Sequence, residues 1–197
     1  MDKLSYALGL SFGQTLHQNR IQGINYESFA EGIKAMCEGL KPEISVQEAQ
    51  SLLDSYFSEI DSKQKAAGAE QKLAGEKFLA DNATKAGIIT TDSGLQYEIL
   101  KAGTGRKPTL TDKVKVHYHG TLLDGTVFDS SVARNTPASF GVNQVIKGWV
   151  EALQLMPVGS KWKLYIPQEL AYGAQGAGQT ILPYSALVFE VELLDIL

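Results

Sequence analysis

At 197 residues, 44% hydrophobic and 20% charged, the chain has a globular composition with length enough for one or two cores. Its net charge of −4 comes from 9 basic against 12 acidic residues before position 90 and 9 against 10 after it. Binding a phosphate backbone needs a basic excess to release counterions, so nucleic acid is excluded as a partner.

Cys37 is the only cysteine, so no intrachain disulfide can form, and no stretch reaches the ~20 apolar residues of a membrane span. The first residues, Met1 to Ala7, lack the apolar core of a signal peptide, which reads as cytoplasmic. A mature periplasmic chain with an added initiator Met would look the same.

Residues 1–44 predict two short helices. Leu4, Leu8, Phe12 and Leu16 recur every four residues, with Gly9 and Gly13 beside them, a spacing that allows close approach by another backbone. After Asn25 as N-cap, Tyr26, Phe29, Ile33, Met36, Cys37 and Leu40 share one face, and Pro42 ends the helix. Cys37 reads as a small buried hydrophobe on that face. Two short amphipathic helices cannot bury both stripes alone, so a second copy of the chain is expected against them.

From Ser45 to residue 88 the pattern is that of a long connecting helix, its start part of the dimer core. Ser45-Val46-Gln47-Glu48 fits a capping box, and Leu52, Leu53, Tyr56, Phe57 and Ile60 are still amphipathic. Between Asp61 and Ala83 the composition favours helix but offers no stripe to bury, as in a helix bridging between domains. Gly68, Gly75 and Gly87 are its expected weak points.

Residues 89–197 read as the next domain, and from Thr90 onward the period becomes two. Leu95/Tyr97/Ile99, Val114/Val116/Tyr118, Trp162/Leu164/Ile166 and Leu187/Phe189/Val191/Leu193 alternate with mostly polar neighbours, predicting antiparallel strands with one solvated face. Asp124-Gly125 marks a hairpin turn. Ile146, Trp149, Val150 and Leu153 give one short helix, stopped at Met156-Pro157. The fold class is therefore α+β: an all-α amino-terminal region, a long helix, and a bent antiparallel sheet wrapped on one helix. The space between sheet and helix is where an apolar pocket belongs, lined by Tyr118, Phe128, Phe140, Val145, Ile146, Trp149, Tyr172, Ile181 and Phe189, with the lone acid Asp129 after Phe128. His117 and His119 lack a third ligand, so no metal or cofactor is implied. The loop from Gly173 to Gly178 is not followed by Lys-Ser/Thr, so it is no phosphate cradle.

Five blocks in order, Val116–Gly120, Gly125–Ser131, Val145–Trp149, Leu170–Gly173 and Leu187–Leu193, resemble the FK506-binding-protein (FKBP) family of peptidyl-prolyl cis-trans isomerases over residues 93–197. The helical half, with Ser5-Tyr6-Ala7-Leu8-Gly9, resembles dimeric bacterial members related to the macrophage infectivity potentiators. The resemblance implies rotation about Xaa-Pro bonds of unfolded polypeptides, without cofactor or covalent intermediate. It implies Trp149 as pocket floor, and Tyr118, Phe128, Phe140, Val145, Ile146 and Phe189 as walls. The Ile146 N–H and Tyr172 hydroxyl are the implied donors to peptide carbonyls. Asp129 either polarises the amide region or holds Tyr118. Ala138 and Ala177 stand where small family members carry Phe and His, and Ile181-Leu182-Pro183 replaces Ile-Pro-Pro. Those changes leave macrolide binding (FK506, rapamycin) and the preference before proline open. Isolated residues 90–197 are expected to isomerise short peptides nearly normally. The alternative is a chaperone or interaction module that uses the pocket only as an anchor.

Overall fold

The computed structural model describes residues 1–19, 21–178 and 180–197, with side chains except at 64 and 65. Two compact units emerge, Met1–Phe57 and Ser58–Leu197. Each helix of the first unit begins where a side-chain oxygen can accept from an orphan N–H. Asp2 accepts from the Ser5 N–H at 2.6 Å ahead of α1 (Lys3–Gln18), and Asn25 accepts from Ser28 at 2.9 Å ahead of α2 (Tyr26–Glu38). The Ser45 hydroxyl accepts from Glu48 at 3.1 Å at the head of α3 (Val46–Ala83). Such a cap is worth about 1 kcal/mol.

The stop of α2 differs from the sequence expectation. Gly39 takes a left-handed conformation (φ 67°) and its N–H returns to the Ala35 carbonyl, ending the helix three residues before Pro42. A glycine reaches that conformation at no steric cost, so the chain turns at the first place it can.

Within this unit Phe12 meets Phe29 edge-on at 6.4 Å, and the Tyr56 hydroxyl both donates to the Gln22 carbonyl and accepts from its N–H, at 3.1 Å each. Yet neither α1 nor α2 buries a single residue. Phe12 is 52% exposed and Met36 75%, with Leu4, Leu8 and Ile33 also exposed. Cys37, expected to be buried, is exposed in the single chain. Among the described residues no backbone approaches Gly9 or Gly13 within 4 Å of where a Cβ would stand.

In the second unit seven strands form one antiparallel sheet: β1 (Ile88–Thr90), β2 (Gln96–Lys101), β3 (Lys113–Thr121), β4 (Val127–Ser130), β5 (Ala138–Gly141), β6 (Lys161–Ile166) and β7 (Leu187–Ile196). Their order is β1-β2-β6-β7-β3-β4, and β5 shares an edge of β3 with β4. Alternation sends Val114, Val116, Tyr118, Trp162, Leu164, Ile166, Leu187, Phe189, Val191 and Leu193 inward, onto Trp149, Ala152 and Leu153 of α4 (Lys147–Leu155). Each such side chain contributes roughly 1.5–3 kcal/mol by leaving water. The opposite face carries Lys161 and Lys163 next to Glu190 and Glu192, including a 2.8 Å Lys161–Glu190 pair. Exposed pairs of this kind add little.

The lower half of α3 departs from the expectation of a helix polar all round. Gly68, Gly75 and Asn82, seven apart, are buried, with Phe78 and Leu79 half-buried beside them. The stripe exists, but glycine and asparagine form it. A Cβ on Gly68 would stand 2.9 Å from the Tyr184 ring, and one on Gly75 would stand 3.2 Å from Ala186. Phe78 packs on Tyr165 at 5.9 Å. Asn82 donates to the Gln96 side chain at 3.0 Å, and Gln96 donates to the Leu79 carbonyl at 2.8 Å. Gln96, expected on the solvated face of its strand, is therefore buried and satisfied by this helix.

Candidate active site

Between α4 and the sheet lies a cavity of about 460 Å³, lined by Tyr118, Phe128, Asp129, Phe140, Gln144, Val145, Ile146, Trp149, Tyr172 and Phe189. Trp149 is its hub. Three rings meet the indole nearly at right angles: Tyr118 at 5.4 Å, Phe140 at 6.0 Å and Phe189 at 5.2 Å. Phe128 in turn meets Phe189 at 5.3 Å. Edge-to-face packing sets ring positions more sharply than area burial alone. The Trp149 indole N–H is buried with no hydrogen-bond partner among the described residues.

Gly120 makes the aromatic wall possible. A Cβ there would lie 2.7 Å from both the Phe128 and Phe189 rings, so the residue must be glycine for the two to close over β3. Register across β3 and β4 pairs Gly120 with Asp129, which brings the acid to the rim beside Tyr118. Ser131 fixes the tyrosine's backbone, its hydroxyl accepting from the Tyr118 N–H at 2.8 Å.

The acid does not face the cavity as a bare charge. Tyr118 donates its hydroxyl to Asp129 Oδ2 at 2.5 Å, Arg134 Nη1 donates to Oδ1 at 2.5 Å, and Arg134 Nη2 donates to the Tyr118 oxygen at 2.9 Å. The three side chains close a ring. Burial pushes the Asp129 carboxyl up, but the hydrogen bonds from Tyr118 and Arg134 and the guanidinium charge outweigh it and hold the group below the usual carboxylate value. Burial, followed by the bond to Asp129, raises the Tyr118 phenol, which stays neutral. Burial and then the Asp129 charge likewise raise Tyr172.

Two donors point nowhere else. The Ile146 N–H at the head of α4 and the Tyr172 hydroxyl make no hydrogen bond among the described residues. Tyr172 is 40% exposed.

Of the sequence-selected residues, Tyr118, Phe128, Asp129, Phe140, Val145, Ile146, Trp149, Tyr172 and Phe189 line the cavity; Ile181, Ala138 and Ala177 do not. Ile181 is buried in the core, exchanging two backbone hydrogen bonds with Ala177 across an isolated bridge. Ala138 pairs with Val116 on β5, and it and Ala177 pack against the core. Gln144 and Arg134 escaped the sequence reading. Gln144 ends a 3-10 turn and no pattern marks it. Arg134 did carry a signal, being the only Lys or Arg between Lys115 and Lys147 and five residues from Asp129. Among the described residues no three metal-ligating groups cluster; His117 and His119 bond Ser131 and Ser130 at 3.0 Å each.

The comparisons with known proteins agree with this architecture. The FKBP-type peptidyl-prolyl cis-trans isomerase profile matches residues 104–194, and the profile of the domain amino-terminal to it matches residues 1–99. The FKBP-type 22 kDa peptidyl-prolyl cis-trans isomerase of Escherichia coli is 50% identical over 98% of this chain and 94% of its own. The outer membrane protein MIP of Legionella longbeachae is 41% identical over 99% and 85%. The crystal structure of FkpA from Escherichia coli superposes with a TM-score of 0.71 at 35% identity, covering 98% of this chain and 95% of that one.

Proposed function

The chain belongs to the FKBP-type peptidyl-prolyl cis-trans isomerases, and from that premise we propose that the cavity over Trp149 holds the proline ring while the Xaa-Pro bond turns above it. It is an enzyme of that class, acting on proline-containing polypeptides. The observation that carries the site assignment is an aromatic hollow whose one acid is already ion-paired with Arg134 and hydrogen-bonded by Tyr118.

The chemistry follows from amide resonance. A planar amide carries a polarised carbonyl and a barrier of ~18–20 kcal/mol to rotation. The twisted transition state has lost that resonance and is less polar. An apolar cavity thus costs the planar form more than the twisted one, which is differential stabilisation with no covalent step. The Ile146 N–H and Tyr172 hydroxyl are placed to take the flanking peptide carbonyls and hold the chain while the bond turns. Asp129 serves by orienting Tyr118, since both its oxygens are engaged.

The exposed faces of α1 and α2 support a homodimer through residues 1–44, with the start of the 45–88 helix in the same core and residues 89–197 as the isomerase domain. Two sites on one dimer would raise effective concentration on an unfolded chain, giving chaperone-like binding and faster proline-limited folding. Macrolide binding belongs to the same cavity, and a titration of rapamycin against peptide turnover measures it. Among the described residues no helix is long and apolar enough to cross a membrane. The Legionella relative's name points to the envelope, and fractionation of source cells decides between that setting and the cytoplasm for this chain.

The test of the activity assignment is the cis-to-trans rate of a Leu-Pro or Phe-Pro tetrapeptide. Proline-specific acceleration abolished by Phe128→Ala supports the site. Acceleration that survives the loss of Phe128 and Trp149 together sinks it.

A further inference from the structure

The loop that carries Tyr172 is held from behind, by the lower half of α3. Tyr172 opens a 3-10 turn at Gly173–Gln175, and its hydroxyl bonds no protein atom among the described residues, so no side-chain hydrogen bond of its own fixes its place. The returning limb of the loop does. The Tyr184 N–H donates to the Gly173 carbonyl at 2.8 Å, directly beside Tyr172, and Ala177 and Ile181 exchange hydrogen bonds at 2.8 and 3.1 Å. Tyr184 adopts φ 61°, a left-handed conformation that side-chain-bearing residues other than Asn and Asp seldom enter. Such strain persists only where the surroundings over-determine it. Here they do. The Tyr184 ring lies flush on the bare backbone of Gly68, where an added Cβ would meet Cδ2 at 2.9 Å and Cε2 at 3.1 Å. One heptad on, Gly75 receives Ala186, so two turns of the helix seat residues 183–186.

We propose that Tyr184 is a positioning residue for the isomerase reaction, clamped by Gly68 of α3 and acting through the Gly173 carbonyl on Tyr172. The proposal rests on the reading of Tyr172 as a donor to the bound peptide. On this view the two glycines are the surface against which a catalytic rim loop is set, and the helix that looked like a spacer tunes substrate grip.

The experiment is peptide kinetics on the full-length chain with Tyr172→Phe, Tyr184→Gly, Tyr184→Phe, Gly68→Leu and the double variant Tyr172→Phe/Tyr184→Gly. Tyr172→Phe lowers kcat/KM by roughly three- to tenfold, the value of one neutral hydrogen bond, and the loss falls in KM because the bond forms in ground and transition states alike. Tyr184→Gly keeps the left-handed backbone, drops the ring, and loses a similar factor in KM; Tyr184→Phe, which keeps the ring, restores turnover. In the double variant the second change adds little, because both act through one contact. Gly68→Leu gives the same KM loss even though leucine favours helix over glycine, and it serves if Tyr184→Gly fails to fold. Independent, multiplying losses in the double variant, or an unaltered KM for both Gly68→Leu and Tyr184→Gly, would overturn the proposal. An unaltered rate for Tyr172→Phe alone removes the donor reading itself, and the proposal falls with it.

Discussion

The two units hold similar apolar residues and do opposite things with them. In Ser58–Leu197 the large side chains face inward, and a core of Leu95, Val114, Leu153, Leu164, Ile166, Leu187 and Leu193 is closed to solvent. In Met1–Phe57 the leucines and phenylalanines of α1 and α2 are arranged just as regularly, but none is buried. The difference lies in geometry. A sheet of seven strands has enough face to cover one helix, whereas short helices each expose a stripe wider than their neighbours can cover. The second unit completes its core within one chain; the first does not, and the proposed dimer would complete it.

The sharpest way to break this comparison is to plug the aromatic hollow over Trp149. Val145→Trp fills the cavity and should cut peptide turnover at least ~100-fold, equivalent to ~2.7 kcal/mol of transition-state stabilisation, with the circular dichroism unchanged. Full activity in that variant would move the reaction elsewhere.

The open unit is tested by charge. Phe12→Asp with Met36→Lys should turn a dimer into monomers by sedimentation, leave short-peptide turnover within about twofold, and slow catalysed refolding of a proline-limited protein by about tenfold, the loss of a tethered second site. A monomeric wild type would refute the dimer directly.

Gly120→Ala probes the aromatic wall. Its methyl forces the Phe128 and Phe189 rings apart, and overpacking of this kind should cost about 1–3 kcal/mol in urea denaturation, along with activity.

A fourth comparison concerns where the closed unit begins. A chain starting at residue 58 should be more stable by about 2 kcal/mol than one starting at 90, which uncovers Tyr165 and leaves Gln96 without its partners. Equal denaturation midpoints would return α3 to the role of a spacer.

The smallest effect is electrostatic. Because the folded Asp129 carboxyl titrates below its usual range, the ring it forms with Tyr118 and Arg134 stabilises the fold fully above the unfolded value near ~3.9 and loses that contribution as pH falls through the lower folded value. Asp129→Asn should therefore be less stable than the parent at pH 7, with the gap narrowing as the pH falls below the unfolded carboxylate value. A constant gap would mean that Asp129 acts through packing alone.

Legibility followed the range of the interaction. Period-two alternation located β3, β6 and β7 closely, and the caps at Asn25 and Ser45 stand where the sequence put them. Nine cavity residues were readable, eight of them inside the ordered blocks and Phe140 outside them. Arg134 was not, since its role depends on a turn that folds it back across five residues onto Asp129. The stripe on α3 was missed for a chemical reason: a search for apolar side chains cannot see a face made of glycine, whose contribution is the room it leaves for Tyr184 and Ala186.

The order of residues alone determined which segments coil and which extend, which faces are apolar, and that a ring-lined pocket precedes and follows Trp149 in the chain, because backbone periodicity and side-chain hydrophobicity are local properties. Only the tertiary structure decided that Asp129 is paired with Arg134, that Ile181 and the two alanines join the core and not the cavity lining, and that half of a polar helix packs with the sheet unit. Each of those depends on distances between residues far apart in sequence, which no local pattern encodes.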